Sequence, residues 1–482
     1  MTEVCVYKPS SGSRAVAGER SGDWASQNKD HTDRMSPLAI LKAIAWFFLL
    51  AAPGISMAQQ VLVIDINVVG LNVNQETARA QLDEACNSLN GNTSPQAASL
   101  QEVCDLIDTF DEDNPEDVRR LQEIADIVAP EEAFAVNDSL VTFSDYQTTN
   151  VHARLNVLRN AVLEQAGSED DEQTSSILND FGPASILQSG GGASSDLVSR
   201  LGAFINGHVS SGTFDGAELQ QDSDISSSSL TFGADYRFGD NVVAGLGLGF
   251  LQDESTFSNV IGGAESDGFN LTAYATWYEA DKGYLDFVLD FGSADYDQER
   301  AISLTGDSSL IAASSPSSSA TSITVSGGRN FKPFGVDLGG YFRLSLTRAT
   351  VDAYSETLKL QRPGFAALYS IGEQSVASTK MVLGFELSKA ISTSYAIVVP
   401  LLRLEYVTEN ESDKENIEAT LITTGTVAQF QGEDRVTGYS NLGIGASAVF
   451  QQGRSIYAYY ETHLQHDLIS QNWLKAGIRL EF

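Results

Sequence analysis

The sequence is short of basic residues, of cysteine and of long apolar runs. Only 29 Lys+Arg stand against 64 Asp+Glu, a formal net charge of −35. That deficit excludes a nucleic-acid binder, which needs a basic footprint, and favours a strongly solvated exterior. Beyond residue 60 no stretch approaches the roughly 20 apolar residues of a membrane-spanning helix. Hydropathy alone therefore reads as soluble, but transmembrane barrels read the same way, because each strand carries a weak signal. Signatures of chemistry are missing as well. Residues 59–145 hold no serine-nucleophile elbow or esterase-like motif. "GLGLGF" (245–250) lacks the spacing and following helix of a phosphate loop. His463 and His466 lack the further ligands a zinc site needs. "DEDNPED" (111–117) lacks the Gly and distal Glu of a calcium loop and reads as an acidic helix start. No enzymatic activity, cofactor or metal is expected.

What is present begins with a targeting signal. Lys42 supplies a positive n-region, Ala43 to Ala52 a short apolar core, and Ser56-Met57-Ala58 the small residues before a cut at Gln59. Residues 35–58 are thus expected to be a signal peptide. Residues 1–34, polar and mixed in charge, read as a disordered or non-native extension ahead of a true start at Met35. Of three cysteines, Cys5 would leave with the leader. Cys86 and Cys104 remain, and an even number in an exported chain favours a disulfide over two buried thiols. Closing so short a loop contributes on the order of 3 kcal/mol.

Residues 59–145 read as short helices. Ala78, Leu82, Ala85, Cys86 and Leu89 fall at helical spacing, as do Leu100, Val103, Cys104 and Ile107, then Val118, Leu121, Ile124 and Ala125. The two cysteines are expected on facing helices, stapling a small unit. Residues 146–199 contain one further helix, "YQTTNVHARLNVLRNAVLEQAG". Val151, Leu155, Leu158 and Val162 form its apolar stripe, and Arg154 and Arg159 lie off it. A Gly/Ser-rich connector follows.

From Leu201 the period becomes two. "SSLTFGADYRF", "NVVAGLGLGF", "FNLTAYATWY", "YLDFVLDF" and "VDLGGYFRLSLT" each alternate apolar residues with polar ones or glycine. About twelve strands are expected between residues 200 and 482 on this alternation. One face is uniformly apolar. Asp235, Asp286, Arg343, Arg403, Glu405, Glu461 and Lys475 share the other. Short turns such as "GDN" (239–241) and "KPFG" (332–335) alternate with long polar loops, including "TGDSSLIAASSPSSSATS" and residues 410–434. A soluble sandwich would hide its apolar face. This layout is instead that of a mainly β, antiparallel transmembrane barrel, apolar outside because lipid is the outer solvent. The final "QNWLKAGIRLEF" keeps strict alternation to Phe482 and is expected to pair with a first strand near Leu201–Ser210, since closure removes exposed edges.

Residues from about 147 to 482 resemble the twelve-stranded translocator β-domain of type V autotransporters. The resemblance rests on "NVHARLNVLR", "VDAYSE", "IGEQSVASTKMVLGFELS", "VVPLLRLEYVTE", "GYSNLGIGASAVFQQGRSIYAYYE" and "LKAGIRLEF", in that order. It implies that Val151, Arg154, Leu155, Leu158 and Arg159 belong to a pore helix threaded through the lumen. It implies that Lys475, Gly477, Leu480 and Phe482 form a barrel-assembly signal. The chain would then sit in outer-membrane lipid at the cell surface, with residues 59–145 as a short helical passenger, 146–199 as pore helix and connector, and 200–482 as barrel. The expected partners are periplasmic chaperones, the barrel-assembly machinery and an unidentified surface ligand; no nucleic acid is expected, and the chain is expected to be a monomer. The alternative is a plugged porin or adhesin-like barrel that exports no passenger. Gly245, Gly247 and Gly249 on the inner face would leave room for a helix, since a barrel of this size encloses a narrow lumen.

Overall fold

The alternation that starts at Leu201 builds one closed wall. In this computed structural model the described residues are 70–134, 136, 144–156 and 200–481, apart from 217–218, 221, 259–261, 280–282, 303–309, 361–364, 412–415, 433–437, 451–453 and 467. All belong to the second of the chain's two units, Val61–Phe482. The expected signal segment 35–58, Leu158, Arg159 and Phe482 lie outside them.

Twelve antiparallel strands form the barrel: β1 (Leu201–Phe214), β2 (Ser223–Arg237), β3 (Val242–Phe257), β4 (Gly262–Glu279), β5 (Gly283–Ala301), β6 (Ser317–Phe331), β7 (Asp337–Val351), β8 (Gln374–Ser388), β9 (Ala396–Glu411), β10 (Gly438–Phe450), β11 (Arg454–Leu464) and β12 (Ile469–Glu481). Each pairs with the next. The ring closes where β1 pairs β12, from Gly202 opposite Glu481 to Phe214 opposite Ile469. The strict alternation at the chain's end is therefore the closing seam. It sends Leu474, Ile478 and Leu480 outward, where they are exposed, and Trp473, Lys475 and Arg479 inward, where they are buried. Leu246, Phe250, Phe269, Leu271, Phe287 and Phe291 continue the exposed apolar belt, which in lipid is a solvated surface. Among the described residues no helix is long and apolar enough to cross a membrane; strands do so. Short turns occupy one end. Gly239 (φ 81°) and Gly335 (φ 74°) take the left-handed backbone there, which a residue without Cβ adopts at little cost.

Helices α1 (Val73–Leu89), α2 (Pro95–Asp108) and α3 (Pro115–Val128) precede the barrel. Each starts at a polar cap: Asn72 in a capping box with Gln75, Ser94 before Pro95, and Asn114 before Pro115. Cys86 and Cys104 are joined by a disulfide between α1 and α2.

The long loops are not structureless. Ile311–Ser314, inside the serine-rich stretch, extends the barrel wall beside β5. Asn416–Leu421 and Thr426–Gln431 form a hairpin within residues 410–434. With Tyr369–Ile371 and Tyr354–Ser355 they make a second, four-stranded sheet. Ile417, Ala419, Leu421, Ala428 and Phe430 alternate along that hairpin and need burial, and α1–α3 provide it. Ala78, Leu82, Leu100, Val103, Ile124 and Val128 share one core with them and with Tyr369 and Ile371. Polar groups fix the fit. Gln81 donates to the carbonyl oxygens of Ala419 (3.4 Å) and Thr426 (3.2 Å) and accepts from the Tyr369 hydroxyl at 2.7 Å. Asn74 binds both the backbone N–H and carbonyl of Gln431, each at 2.8 Å. The helical unit is thus joined to a sheet built from the barrel's own loops.

A helix-filled lumen as the candidate functional site

Residues 144–156 form a further helix, α4, inside the barrel. Its apolar stripe is short. Val151 and Leu155 are fully buried and cluster with Phe204, Val243, Tyr274, Tyr278 and Val288. Beside them runs a polar stripe, Gln147, Asn150 and Arg154, at the three- and four-residue spacing of one helix face. Gln147 donates to Thr272 Oγ1 at 2.9 Å and accepts from Thr231 Oγ1 at 2.7 Å. Asn150 donates to Thr231 Oγ1 at 2.9 Å and to Ser229 Oγ at 3.1 Å, and its carbonyl accepts from Asn206 Nδ2 at 2.9 Å. Arg154 donates from Nε and Nη2 to the two oxygens of Asp235, each at 2.7 Å. The Tyr274 hydroxyl also donates to Asp235, at 3.1 Å. His152 Nδ1 lies 3.7 Å from Asp286.

Glycines make the approach possible. A Cβ on Gly249 would collide with the side-chain oxygen of Asn270 and stand 2.5 Å from Gln147 Oε1. A Cβ on Gly202 would stand 2.7 Å from both Arg154 Nη2 and Asp235 Oδ1. The glycines at 245, 247 and 249 differ in role. Gly245 yields to Tyr274, Gly249 yields to the helix, and Gly247 has nothing closer than 3.7 Å.

The helix leans on β1–β5. On the far side it touches the wall through Asp145, which binds Lys380; Lys380 also holds Glu409 at 3.1 Å. Beside that contact a cavity of about 170 Å³ remains, lined among others by Arg343, Glu405, Glu461 and Lys475. Its cations are paired: Arg343 with Glu405 at 2.9 Å and Lys475 with Glu461 at 3.3 Å. His463 and His466 stack there, 5.4 Å apart, beside Tyr439. Among the described residues no group of three or more His, Cys, Asp or Glu side chains could hold a metal.

Of the residues the sequence singled out, Val151, Arg154 and Leu155 come together in the lumen. Lys475, Gly477 and Leu480 do not converge. Lys475 is buried against Glu461, Gly477 gives way to Asn206 and Tyr457, and Leu480 faces outward. Cys86 and Cys104 sit far along the chain from all of these, in the helical unit. The sequence reading missed Gln147, Asn150, Asp145 and their wall partners. The regular spacing of Gln147, Asn150 and Arg154 was the available signal.

An apolar exterior, a charged interior and a helix through the lumen define a membrane-embedded β-barrel with a filled pore. The sequence model of the autotransporter β-domain matches residues 203–461, more than half of the chain. The chain belongs to the autotransporter β-domain family. It is an outer-membrane barrel, and the family role is to bring a passenger to the cell surface. Similar solved structures include the translocator domain of the autotransporter NalP from Neisseria meningitidis (18% identity, 59% of this chain and 89% of that one, TM-score 0.47). Others are the β-domain of the Bordetella autotransporter BrkA (21%, 59% and 100%, TM-score 0.45) and the transport unit of AIDA-I from Escherichia coli (11%, 59% and 90%, TM-score 0.40). No curated protein matches the chain in sequence.

Proposed function

We propose that residues 59–145 are the passenger and that, once exported, they stay on the barrel as a fixed surface cap, with α4 as the plug beneath. The observation that carries this reading is the shared core of α1–α3 and the loop sheet, in which Leu82, Leu100 and Val128 pack with Tyr369, Ile417 and Phe430. A passenger destined for release would expose that apolar surface on leaving, and burial of apolar area opposes such separation. The cap acts by display and binding rather than catalysis, and the chain works as a monomer. Periplasmic chaperones would escort it, and the barrel-assembly machinery would read Lys475, Gly477, Leu480 and Phe482.

The test is an epitope inserted at Asn92, in the exposed turn between α1 and α2. On intact cells it should be antibody-accessible and remain with the outer membrane. Tagged passenger in the medium would overturn retention. A tag reached only after the outer membrane is opened would overturn display and favour a plugged barrel that exports nothing.

A further inference from the structure

Tyr146, in the first turn of α4, lines two cavities in the barrel. One is the charged crevice beside β7–β12. The other, of about 110 Å³, lies against β2–β5. Strand register builds its wall from inward-facing rows. Ser227, Asp253, Ser266 and Tyr296 stand side by side on adjacent strands. The next row is Ile225, Ser255, Ala264 and Gln298, and Phe257 follows on β3.

Three features of this cavity point to a ligand. First, Ser266 and Ser223 are each only 6% exposed, line the cavity, and make no side-chain hydrogen bond to any described residue. Ser227 differs: its hydroxyl is bonded to Ser210 at 2.6 Å. Ser210 in turn accepts from Gln471, which also donates to Tyr146 at 2.8 Å. The Ser266 and Ser223 hydroxyls are thus open to a ligand in the cavity, as donor or acceptor. Second, Asp253, Glu254 and Glu131 bring negative charge, and no described lining residue is basic. Third, Phe214, Ile225, Phe257 and Ile469 give the cavity an apolar side, beside the polar Gln220, Ser255 and Gln471.

We propose that this cavity binds a short primary alkylammonium ion. An ammonium has three N–H donors and no acceptor. At the Asp253 row it donates to the carboxylate and to the Ser266 hydroxyl. Its chain then runs along the strands past Ile225 and Ala264 toward Phe257. Rows two residues apart are separated by about 7 Å, the reach of a four-carbon chain. The volume fits that size, since a cavity of about 150 Å³ is what holds a benzene ring. Asp253 and Ser266, which hold the ammonium, lie on barrel strands and would stay if residues 59–145 were released, whereas Glu131 would leave with them.

The experiment is calorimetric titration of the folded full chain in detergent with butylammonium chloride, and with 1-butanol as the uncharged comparator. Butylammonium should bind at least about tenfold more tightly than butanol, a charged hydrogen bond being worth that much. Asp253→Asn should remove the preference. Ala264→Leu, which keeps the charge and fills the space, should abolish binding of both. Retention of the heat-resistant, compact barrel band on gels shows that each variant has folded. Absence of butylammonium binding to the parent chain, equal binding of butanol, or an unchanged preference in Asp253→Asn would each overturn the proposal.

Discussion

Arg154 and Asp235 form a two-pronged ion pair in the barrel lumen, with two hydrogen bonds of 2.7 Å each and both side chains almost wholly buried. The pair ties α4 to β2, and a glycine at 202 leaves the space for it. Charges so buried depend on each other. Removing one strands the other, which costs about 3–5 kcal/mol.

Arg154→Ala should therefore loosen the helix more than the wall. The expected outcome is higher single-channel conductance in planar bilayers, with the barrel's heat resistance retained. Arg154→Glu should go further, because it opposes two carboxylates at one site. Conductance equal to the parent's in both variants would count against the plug.

Gly249→Val tests the same docking from the wall side. The new side chain would occupy the position of Gln147 Oε1, so the hydrogen bonds to Thr231 and Thr272 should be lost. Losing two buried bonds and their fit is expected to cost about 2–3 kcal/mol. Raised conductance and faster amide exchange in residues 144–156 are the expected readings. Gly247→Ala, where nothing lies closer than 3.7 Å, should leave both unchanged.

The Cys86–Cys104 bridge spans 18 residues. Replacing both cysteines with alanine should destabilise the helical unit by about 3 kcal/mol, through a less restricted unfolded chain. Because α1–α3 share a core with the loop sheet rather than with the barrel wall, protease sensitivity should rise within residues 73–128. The heat resistance of the barrel should not change.

A pH dependence follows from Glu132, in the connection between α3 and α4. Its side chain is buried, and its Oε2 has no hydrogen-bond partner among the described residues. Burial pushes its carboxyl from 4.5 up to about 7, against the pull of the Arg300 guanidinium. The native chain thus holds a proton that the unfolded chain has released. The stabilisation is complete below about pH 4.5 and is lost as pH rises through about 7. Amide exchange in residues 129–136 should accelerate from pH 6 to pH 8 beyond its intrinsic pH dependence. Glu132→Gln should flatten that excess. Arg300 itself is held by Glu356 at 2.7 Å and donates to the Ile127 carbonyl at 3.0 Å. Its position thereby clamps the end of α3 to the barrel mouth.

Much of this fold was legible because it is local. Each β1–β12 segment announces itself by alternation, and alternation also fixes which face meets lipid. Leu474, Ile478 and Leu480 had to lie on one side and Lys475 and Arg479 on the other, whatever their partners. The helices were equally legible from spacing and caps, and the cysteine pair from its count and exported context. The lumen was only half legible. Arg154 stood out as a charge off an apolar stripe, but Gln147 and Asn150 are uncharged, and their meaning depends on Thr231 and Thr272, more than 80 residues away.

The sequence by itself determined a closed barrel with an apolar exterior, a charged interior and a final strand that must find the first. Those follow from a two-residue period and from the need to satisfy every backbone group in lipid. Only the tertiary structure decided how the remaining parts meet. The hairpin inside residues 410–434 and the helices of residues 73–128 each carry apolar faces that are incomplete alone. Leu82 and Phe430 come together across nearly 350 residues of chain because each buries what the other leaves exposed. Likewise, α4 leans on β1–β5 because Asp235, Thr231 and Thr272 match its polar stripe there. A periodic pattern cannot encode such a match, since it depends on which side chains closure brings face to face.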